Sequence, residues 1–287
     1  MTETTAAIGH VWLVGAGPGD PELLTLRALK AIEQSDVVVH DRLVSSEIMA
    51  LVPSHIRRID VGKLPRYHAV PQDEINELLV SLALQGLNVT RLKGGDPLIF
   101  GRGSEEAQAL SEAGIGVCYV PGITAAQGAA ASAGVPLTHR GLATGVRYVT
   151  GHRARDAELD LDWQSLASGE TTLVVYMGVS SIGEIATRLV EHGLSMSTPV
   201  LMVAAATTPR EERRLSNLSR IACDAAGHTS EVPALFIIGS VVSLYVAGTP
   251  AAPIDGAREL LLLASTSTSS SSSSIVLAAD AGLAMLV

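Results

Sequence analysis

A glycine-rich stretch at residues 91–106 constrains the fold of this chain more than any other feature. It reads RLKGGDPLIFGRGSEE and contains four glycines and one proline. The preceding residues 87–92 predict a short strand, and Ser104 followed by Glu105 and Glu106 predicts the capped start of a helix. The glycines therefore lie between a strand and a helix N-terminus, where α/β proteins bring bare backbone close to a ligand.

The side chains of this stretch indicate a binding site. Asp96 precedes Pro97, and the proline ring keeps such a residue extended, so its carboxylate is well placed to hold a ribose hydroxyl or an amine. Arg102 and Glu105 follow at the mouth of the same loop. The alternative is a surface turn with a solvated charge cluster. The length of the stretch and its mix of residues disfavour that interpretation.

Composition narrows the class of partner. Only 3% of the 287 residues are aromatic and the net charge is −9, which argues against a nucleic-acid-binding protein. Residues 42–155 nevertheless contain 12 Lys and Arg against 9 Asp and Glu, a local charge of +3. A cationic middle in an acidic chain suits an anionic ligand, although chance gives the same pattern.

The remaining composition predicts a cytoplasmic protein without a metal. Cys118 and Cys223 lie in apolar stretches without a C-x-x-C pattern, so we interpret them as buried free thiols in a reducing compartment. The histidines show no metal-ligand spacing. The N-terminus does not have the pattern of a signal peptide, and no run reaches the roughly 18 apolar residues of a membrane span.

Alternating strand and helix patterns predict two α/β domains. Apolar runs at residues 11–14, 37–40, 117–120, 172–177, 199–204 and 233–239 predict strands, and residues 73–85 and 182–190 predict helices. The pattern restarts near Pro121, so we predict domains at residues 8–120 and 121–247. Residues 121–126 predict the opening of a helix of small residues that runs through Ala133, which permits close approach of either a neighbouring element or a ligand. The serine-rich residues 248–287 predict a disordered tail.

A second glycine turn, at residues 15–20, is similar to a dinucleotide-binding loop. It matches G-x-G, but Asp20 stands where the last glycine of that motif belongs, and Pro18 lacks the N–H that would face a pyrophosphate. Asp41 lies near the position of a ribose-binding acid. NAD or NADP binding is therefore an alternative that the motif itself disfavours.

Seven motifs in register resemble the tetrapyrrole methylases. The glycine turn at residues 14–21 resembles the opening signature of that family, and residues 91–106 resemble the longer signature of its uroporphyrinogen-III C-methyltransferase branch. The same order of motifs continues at residues 121–126, 136–140, 149–152, 176–178 and 207–210. The resemblance covers residues 9–247.

The resemblance implies two α/β domains with the active site in the cleft between them, in a homodimer. It implies S-adenosylmethionine as methyl donor, with S-adenosylhomocysteine as product, and uroporphyrinogen III as acceptor. Two methyl groups would be added to give precorrin-2 by way of precorrin-1, in sirohaem or cobalamin synthesis. It implies no metal, no nucleic acid and no membrane partner.

Carried over residue by residue, the resemblance implies a donor site and an acceptor site. The donor site comprises Pro18, Gly94, Gly95, Asp96, Ile99, Thr124, Ala125, Met177 and Ala206. The acceptor site comprises Arg102, Glu105, Arg140 and Met177. Glu105 is the more natural base for the proton that leaves the macrocycle, because arginine stays protonated, although Arg102 in a shielded setting remains an alternative. Each residue also has an ordinary structural interpretation, such as a core methionine, a helix-end cation or a first-turn carboxylate.

The sequence departs from the family pattern at Ser104, His40, Ala204 and Ala205, and the serine-rich tail has no counterpart. These departures put the reaction rate in question more than the type of reaction.

Two other functions stay open: a precorrin methylase acting later in the corrin route, and a protein that binds an adenosyl ligand without turnover.

Overall fold

A computed structural model of the chain describes residues 7–62, 70–152, 159–229 and 232–248. The described residues belong to one compact unit. Almost all of the tail predicted at residues 248–287 lies outside the described residues.

The first half of the chain forms a parallel sheet, as the alternating pattern predicts. Within the described residues its strands are β1 (Val11–Gly15), β2 (Val37–His40), β3 (Arg57–Asp60), β4 (Val89–Lys93) and β5 (Val117–Val120), in the order β3-β2-β4-β1-β5. Each neighbouring pair is parallel. Strand β4 is central, so the stretch that follows it begins in the middle of the sheet's carboxyl edge, next to the turn that follows β1.

Helices cover both faces of this sheet. On one face α1 (Leu26–Glu33) and α2 (Ser46–Ala50) pack against Val14, Val38 and Leu92. On the other face α3 (Gln72–Leu84) and α4 (Gly103–Glu112) pack against residues that include Leu13 and Val39. Because strand side chains alternate between faces, residues 89, 91 and 93 of β4 all point towards the α3 and α4 side.

The second half forms a mixed sheet. Its described strands are β6 (Gly145–Thr150), β7 (Thr171–Tyr176), β8 (Pro199–Ala204), β9 (Glu212–Asn217) and β10 (Ala234–Ile238), in the order β6-β7-β10-β8-β9. Only the β6–β7 pair is parallel among them. Helices α6 (Trp163–Leu166), α7 (Ile182–Glu191) and α8 (Ile221–Asp224) pack on one face. The two sheets match the predicted α/β class, while the domain boundaries near residues 121 and 247 stay a prediction.

The small-residue helix α5 (Ala125–Ala133) packs on the other face of the second sheet. Its alanines contact residues that include Val174 and Leu201. A Cβ placed on Gly128 would lie 2.6 Å from the Cβ of Pro18, which belongs to the first glycine turn. The small side chains thus permit close packing between α5 and the first half of the chain.

Two local predictions are wrong. Helix α4 begins at Gly103 with Arg102, not Ser104, at its N-cap. The chain turns sharply there because Arg102 adopts φ 56 and ψ 17 and the Gly103 N–H donates to the Pro97 carbonyl at 3.0 Å. Ser104 is an exposed residue inside the helix.

The cysteines are also not buried. Both are free thiols and both are exposed. Cys118 lies on β5, an edge strand of the first sheet, and Cys223 lies in the short helix α8. Apolar neighbours in sequence were misleading because an edge strand and a short surface helix each leave one side in solvent.

Candidate active site

The two glycine loops meet through their backbones. The Gly95 N–H donates to the Gly17 carbonyl at 2.7 Å, and the Gly17 N–H donates to the Gly95 carbonyl at 3.1 Å. Both residues have positive φ, 75° at Gly17 and 68° at Gly95, which is why glycine suits these positions. The turns that follow β1 and β4 are therefore held side by side at the carboxyl edge of the first sheet.

Asp96 connects this pair of loops to a third segment. One carboxylate oxygen accepts from the Gly122 N–H at 3.0 Å and the other from the Leu98 N–H at 2.9 Å. A Cβ on Gly122 would lie 2.2 Å from the Gly95 carbonyl oxygen, so the segment before α5 packs directly on the second loop. The sequence predicts a fixed carboxylate at Asp96, and the structure fixes it by two backbone donors.

The first glycine turn also meets the loop after β8. The Asp20 N–H donates to Thr207 Oγ1 at 3.2 Å, and a Cβ on Gly19 would lie 3.4 Å from the carbonyl oxygen of Ala206. Ala206 itself is buried. Pro18 and Ala206, which are far apart in sequence, thus belong to adjoining loops.

The end of β7 meets the start of α5. The Tyr176 hydroxyl lies 2.6 Å from Thr124 Oγ1 and accepts from the Ala126 N–H at 3.0 Å. The next residue, Met177, has φ 51 and a half-exposed side chain. The Phe100 ring, from the second glycine loop, lies 5.0 Å from the Tyr176 ring. Thr124, Ala125, Met177 and the second loop therefore form one continuous group.

Arg102 and Glu105 form an ion pair at the outer end of this group. Arg102 Nε donates to Glu105 Oε1 at 2.8 Å, and its terminal nitrogen donates to Oε2 at 2.6 Å. The bond from Arg102 lowers the pKa of the Glu105 carboxyl, and the same bond raises the pKa of Arg102. Both side chains are about half exposed.

Arg140 belongs to a different segment of the chain from this pair, the turn that precedes β6. It is exposed in a turn closed by the His139 N–H and the Ala143 carbonyl at 3.0 Å. Within the described residues no hydrogen bond or ion pair joins Arg140 to Arg102 or Glu105. Ile99, by contrast, stays in the second loop, where its N–H donates to the Asp96 carbonyl at 3.2 Å.

The model of the protein family Tetrapyrrole (Corrin/Porphyrin) Methylases matches residues 10–222 of this chain. A uroporphyrinogen-III C-methyltransferase of Paracoccus denitrificans is 61% identical over 239 residues, which cover 83% of each chain. This chain belongs to the tetrapyrrole methylase family.

Longer relatives and solved structures support that membership. A siroheme synthase of Pseudoalteromonas atlantica is 51% identical over 85% of this tetrapyrrole methylase. The match covers 53% of the length of that longer protein. A uroporphyrin-III C-methyl transferase of Thermus thermophilus, solved in complex with S-adenyl homocysteine, is 42% identical with a TM-score of 0.71. That match covers 83% of this chain and 100% of the solved one. A cobalt precorrin-4 methyltransferase has a TM-score of 0.72 at 25% identity, and the match covers 81% of this chain and 95% of the solved one.

The residues present in this tetrapyrrole methylase fit an adenosyl donor. A Cβ on Gly95 would lie 3.6 Å from the Ala125 nitrogen and 3.8 Å from the Thr124 Cα, so a side chain there would fill the space between the two segments assigned to the donor. Each oxygen of the adjacent Asp96 carboxylate accepts one hydrogen bond from a described residue, and a carboxylate oxygen is able to accept a second one from a ligand. Within the parts of the chain that the structure describes, no group of three His, Cys, Asp or Glu could hold a metal ion, and no helix is long and apolar enough to span a membrane.

Three residues of the methylase that the sequence analysis did not assign form a buried ionic cluster: Arg91, Lys93 and Glu106. Glu106 Oε1 accepts from Lys93 Nζ at 2.8 Å and from Arg91 Nε at 3.1 Å. The cluster extends to Asp41, whose Oδ2 lies 3.4 Å from a terminal nitrogen of Arg91. Burial and the neighbouring Arg91 lower the pKa of Lys93, although Glu106 acts in the opposite direction.

A sequence signal for this cluster exists. Gly103, Glu106, Ala107 and Leu110 recur at the spacing of one helix face and are all buried in α4. Glu106 is therefore a charge on the buried face, whereas its neighbour Glu105 is exposed. From the sequence alone, both are predicted to be carboxylates in the first turn of the helix.

The positions that depart from the family pattern lie at the ends of β8 and β2 and on α4, and one of them, Ala205, has a φ of 45°. Ala204 and Ala205 are buried, and Ala205 donates its N–H to the Pro233 carbonyl at 2.8 Å. An alanine suits such a site because it leaves no polar side-chain atom without a partner. His40 ends β2, and Ser104 is exposed on α4.

A glycine substitution tests the donor cradle. Gly95→Ala is expected to weaken S-adenosylhomocysteine binding by roughly tenfold, because the added Cβ occupies the space between Gly95 and Ala125 in which we expect the ligand to bind. Gly114→Ala is the matched control, since its φ of 72° is close to the 68° of Gly95 and no atom lies within 4 Å of the added Cβ. Isothermal titration calorimetry should show a loss for the first variant alone, and equal affinities would contradict the assignment.

Proposed function

We propose that this tetrapyrrole methylase is an S-adenosylmethionine-dependent C-methyltransferase that adds two methyl groups to uroporphyrinogen III. The products are precorrin-1 and then precorrin-2, on the route to sirohaem or cobalamin. The observation that favours this substrate is the 61% identity to the Paracoccus denitrificans enzyme over 83% of both chains. The fold alone does not select it, because the precorrin-4 enzyme matches with a similar TM-score at only 25% identity.

The donor site in this proposal comprises Pro18, Gly94, Gly95, Asp96, Ile99, Thr124, Ala125, Met177 and Ala206. Their support is the chain of contacts that joins the two glycine loops, the start of α5, the end of β7 and the loop after β8. When bound, the donor supplies a methyl group on a positively charged sulfur. The backbone of the glycine loops holds and orients it, which is the main contribution that this reaction needs.

The acceptor site comprises Arg102, Glu105, Arg140 and Met177. Uroporphyrinogen III is a polycarboxylate, and the planar fork of arginine binds carboxylates in two parallel hydrogen bonds. Arg102 donates to Glu105 through Nε and one terminal nitrogen, which orients the half-exposed guanidinium. The edge formed by its two terminal nitrogens would then bind a substrate carboxylate. Arg140 would reach the same substrate from the turn before β6.

Removal of a proton from the methylated ring completes the reaction. We assign this step to Glu105, with Arg102 beside it as the alternative base. Arg102 lowers the pKa of Glu105, so Glu105 stays ionised at neutral pH and ready to accept a proton. The same pairing makes it a weaker base than a free glutamate.

We further propose that the protein is a cytoplasmic homodimer. Free cysteines at residues 118 and 223 suit a reducing compartment, and the dimer follows the resemblance to the family. Light scattering of the purified protein at several concentrations tests the dimer.

The test of the reaction is direct. Incubation with uroporphyrinogen III and S-adenosylmethionine, followed by mass spectrometry, should give a product heavier by two methyl groups. The control replaces the donor by S-adenosylhomocysteine. Methylation of precorrin-2 but not of uroporphyrinogen III would favour a later precorrin methylase, and binding of both ligands without any product would favour a non-catalytic binding protein.

A further inference from the structure

We propose that Tyr176 is a positioning residue that fixes the start of α5 so that Thr124 and Ala125 face the methyl donor. This inference rests on the proposed function and assigns a residue that the family motif leaves without a role. It follows from two hydrogen bonds of one hydroxyl group, 2.6 Å to Thr124 Oγ1 and 3.0 Å from the Ala126 N–H.

Helix α5 needs this contact because its own cap is not used. The first backbone N–H groups of a helix have no partner within the helix, and a threonine at the N-cap position usually accepts from one of them. Thr124 occupies the N-cap position of α5 but makes no such bond. Its hydroxyl meets Tyr176 instead, and Tyr176 accepts from the Ala126 N–H. A side chain from the end of β7 therefore replaces the local cap.

The hydroxyl and the ring of Tyr176 contact different parts of the site. The ring lies 5.0 Å from the ring of Phe100, on the loop that ends at Arg102, and 5.7 Å from the ring of Tyr148. Within the part of the chain that the structure describes, the hydrogen bonds of the hydroxyl go to Thr124 and Ala126, at the start of α5. Removing the hydroxyl should therefore disturb the donor position and leave the Phe100 contact, and so the acceptor loop, in place.

Burial keeps the Tyr176 hydroxyl in its neutral form. It raises the pKa of Tyr176, against the smaller opposite effects of Thr124 and Ala126. A neutral hydroxyl still has its hydrogen while its oxygen accepts from Ala126, so it is able to take part in both bonds at once.

The experiment compares Tyr176→Phe with Tyr148→Phe. Tyr176→Phe should raise the Kd for S-adenosylhomocysteine and the KM for S-adenosylmethionine by roughly tenfold, with kcat and the KM for uroporphyrinogen III changed less than about twofold. Tyr148→Phe removes a hydroxyl from the same ring cluster and should leave the Kd unchanged. An unchanged Kd in Tyr176→Phe, with or without a lower Tm, would overturn the inference.

A second variant separates positioning from general stability. Thr124→Val should weaken S-adenosylhomocysteine binding, and the double variant with Tyr176→Phe should weaken it by less than the product of the two single effects, because both remove the same hydrogen bond. Effects that multiply would contradict the inference. If the wild-type protein binds S-adenosylhomocysteine but does not methylate uroporphyrinogen III, the proposed substrate fails and the Tyr176 result still stands; if it binds no S-adenosylhomocysteine, both fail.

Discussion

Arg102→Ala is expected to lower kcat/KM for uroporphyrinogen III by about 100-fold or more, while S-adenosylhomocysteine binding changes less than about twofold. The loss corresponds to about 3 kcal/mol, the scale of removing a charged partner from a carboxylate. Steady-state kinetics and calorimetry on the same preparation measure the two effects.

The separation of the two effects follows from the geometry of Arg102. Its side chain points to Glu105 at the outer end of the site, at 2.6–2.8 Å, and makes no bond to Asp96 or Gly95 within the described residues. The proposed donor cradle is held by Gly17, Gly95 and Gly122 through their backbones and by Asp96. Removing the guanidinium therefore takes away a carboxylate-binding group without touching the cradle.

A surface arginine supplies the control for this prediction. Arg220 pairs with Asp224 at 3.4 Å, and its side chain is 72% exposed in the second half of the chain. Arg220→Ala should leave kcat/KM within about twofold of wild type, because exposed pairs contribute little. Normal turnover in Arg102→Ala would show that Arg102 does not belong to the acceptor site. A loss of S-adenosylhomocysteine affinity as large as the loss of kcat/KM would show that Arg102 acts on the donor instead.

Glu106→Gln is expected to lower the free energy of unfolding by about 3–5 kcal/mol, the cost of leaving buried charges without their partner. Glu106 has no exposed side-chain surface and is the acceptor for both Lys93 and Arg91. Among the described residues its Oε2 has no hydrogen-bond partner, so both cations bind to Oε1. The glutamine keeps the volume and removes the charge, so the change measures the electrostatic contribution.

The deficit in Glu106→Gln should also depend on pH. Burial already lowers the pKa of Lys93 in the folded protein. Between that lowered value and the usual lysine pKa of about 10.4, the unfolded chain binds more protons, so stability rises with pH. Loss of Glu106 lowers the pKa of Lys93 further. The difference in the free energy of unfolding between wild type and Glu106→Gln should therefore be largest near neutral pH and become smaller in alkaline solution.

Urea denaturation at several pH values measures both effects. Glu112→Gln is the matched control, because Glu112 lies at the exposed end of the same helix. Its free energy of unfolding should change by less than about 0.5 kcal/mol. A loss below about 1 kcal/mol in Glu106→Gln, or a deficit that does not change with pH, would show that the buried ionic cluster contributes little to stability.

The sequence predicts the elements of this fold well where periodicity and glycine punctuation agree. The strands at residues 199–204 and 117–120 and the helix that ends before Gly193 are confirmed. Strand β3 and helices α2 and α6 were not predicted, because short elements with few apolar residues leave little periodic signal. The sequence predicts Ser104 as the N-cap of α4, whereas Arg102 occupies that position. The sequence does not reveal this because arginine rarely adopts the positive φ that Arg102 has here.

The sequence by itself determined the family, through seven ordered motifs, and with it the donor and acceptor residues that we propose. Those motifs are local, and local backbone requirements such as glycine turns are written in consecutive residues. Only the tertiary structure decided which loops touch: that Asp96 binds Gly122, that Tyr176 caps α5 and that Glu106 holds two buried cations. Such contacts join residues 13 to 50 positions apart, and a residue's type does not specify its distant partner until the chain has folded.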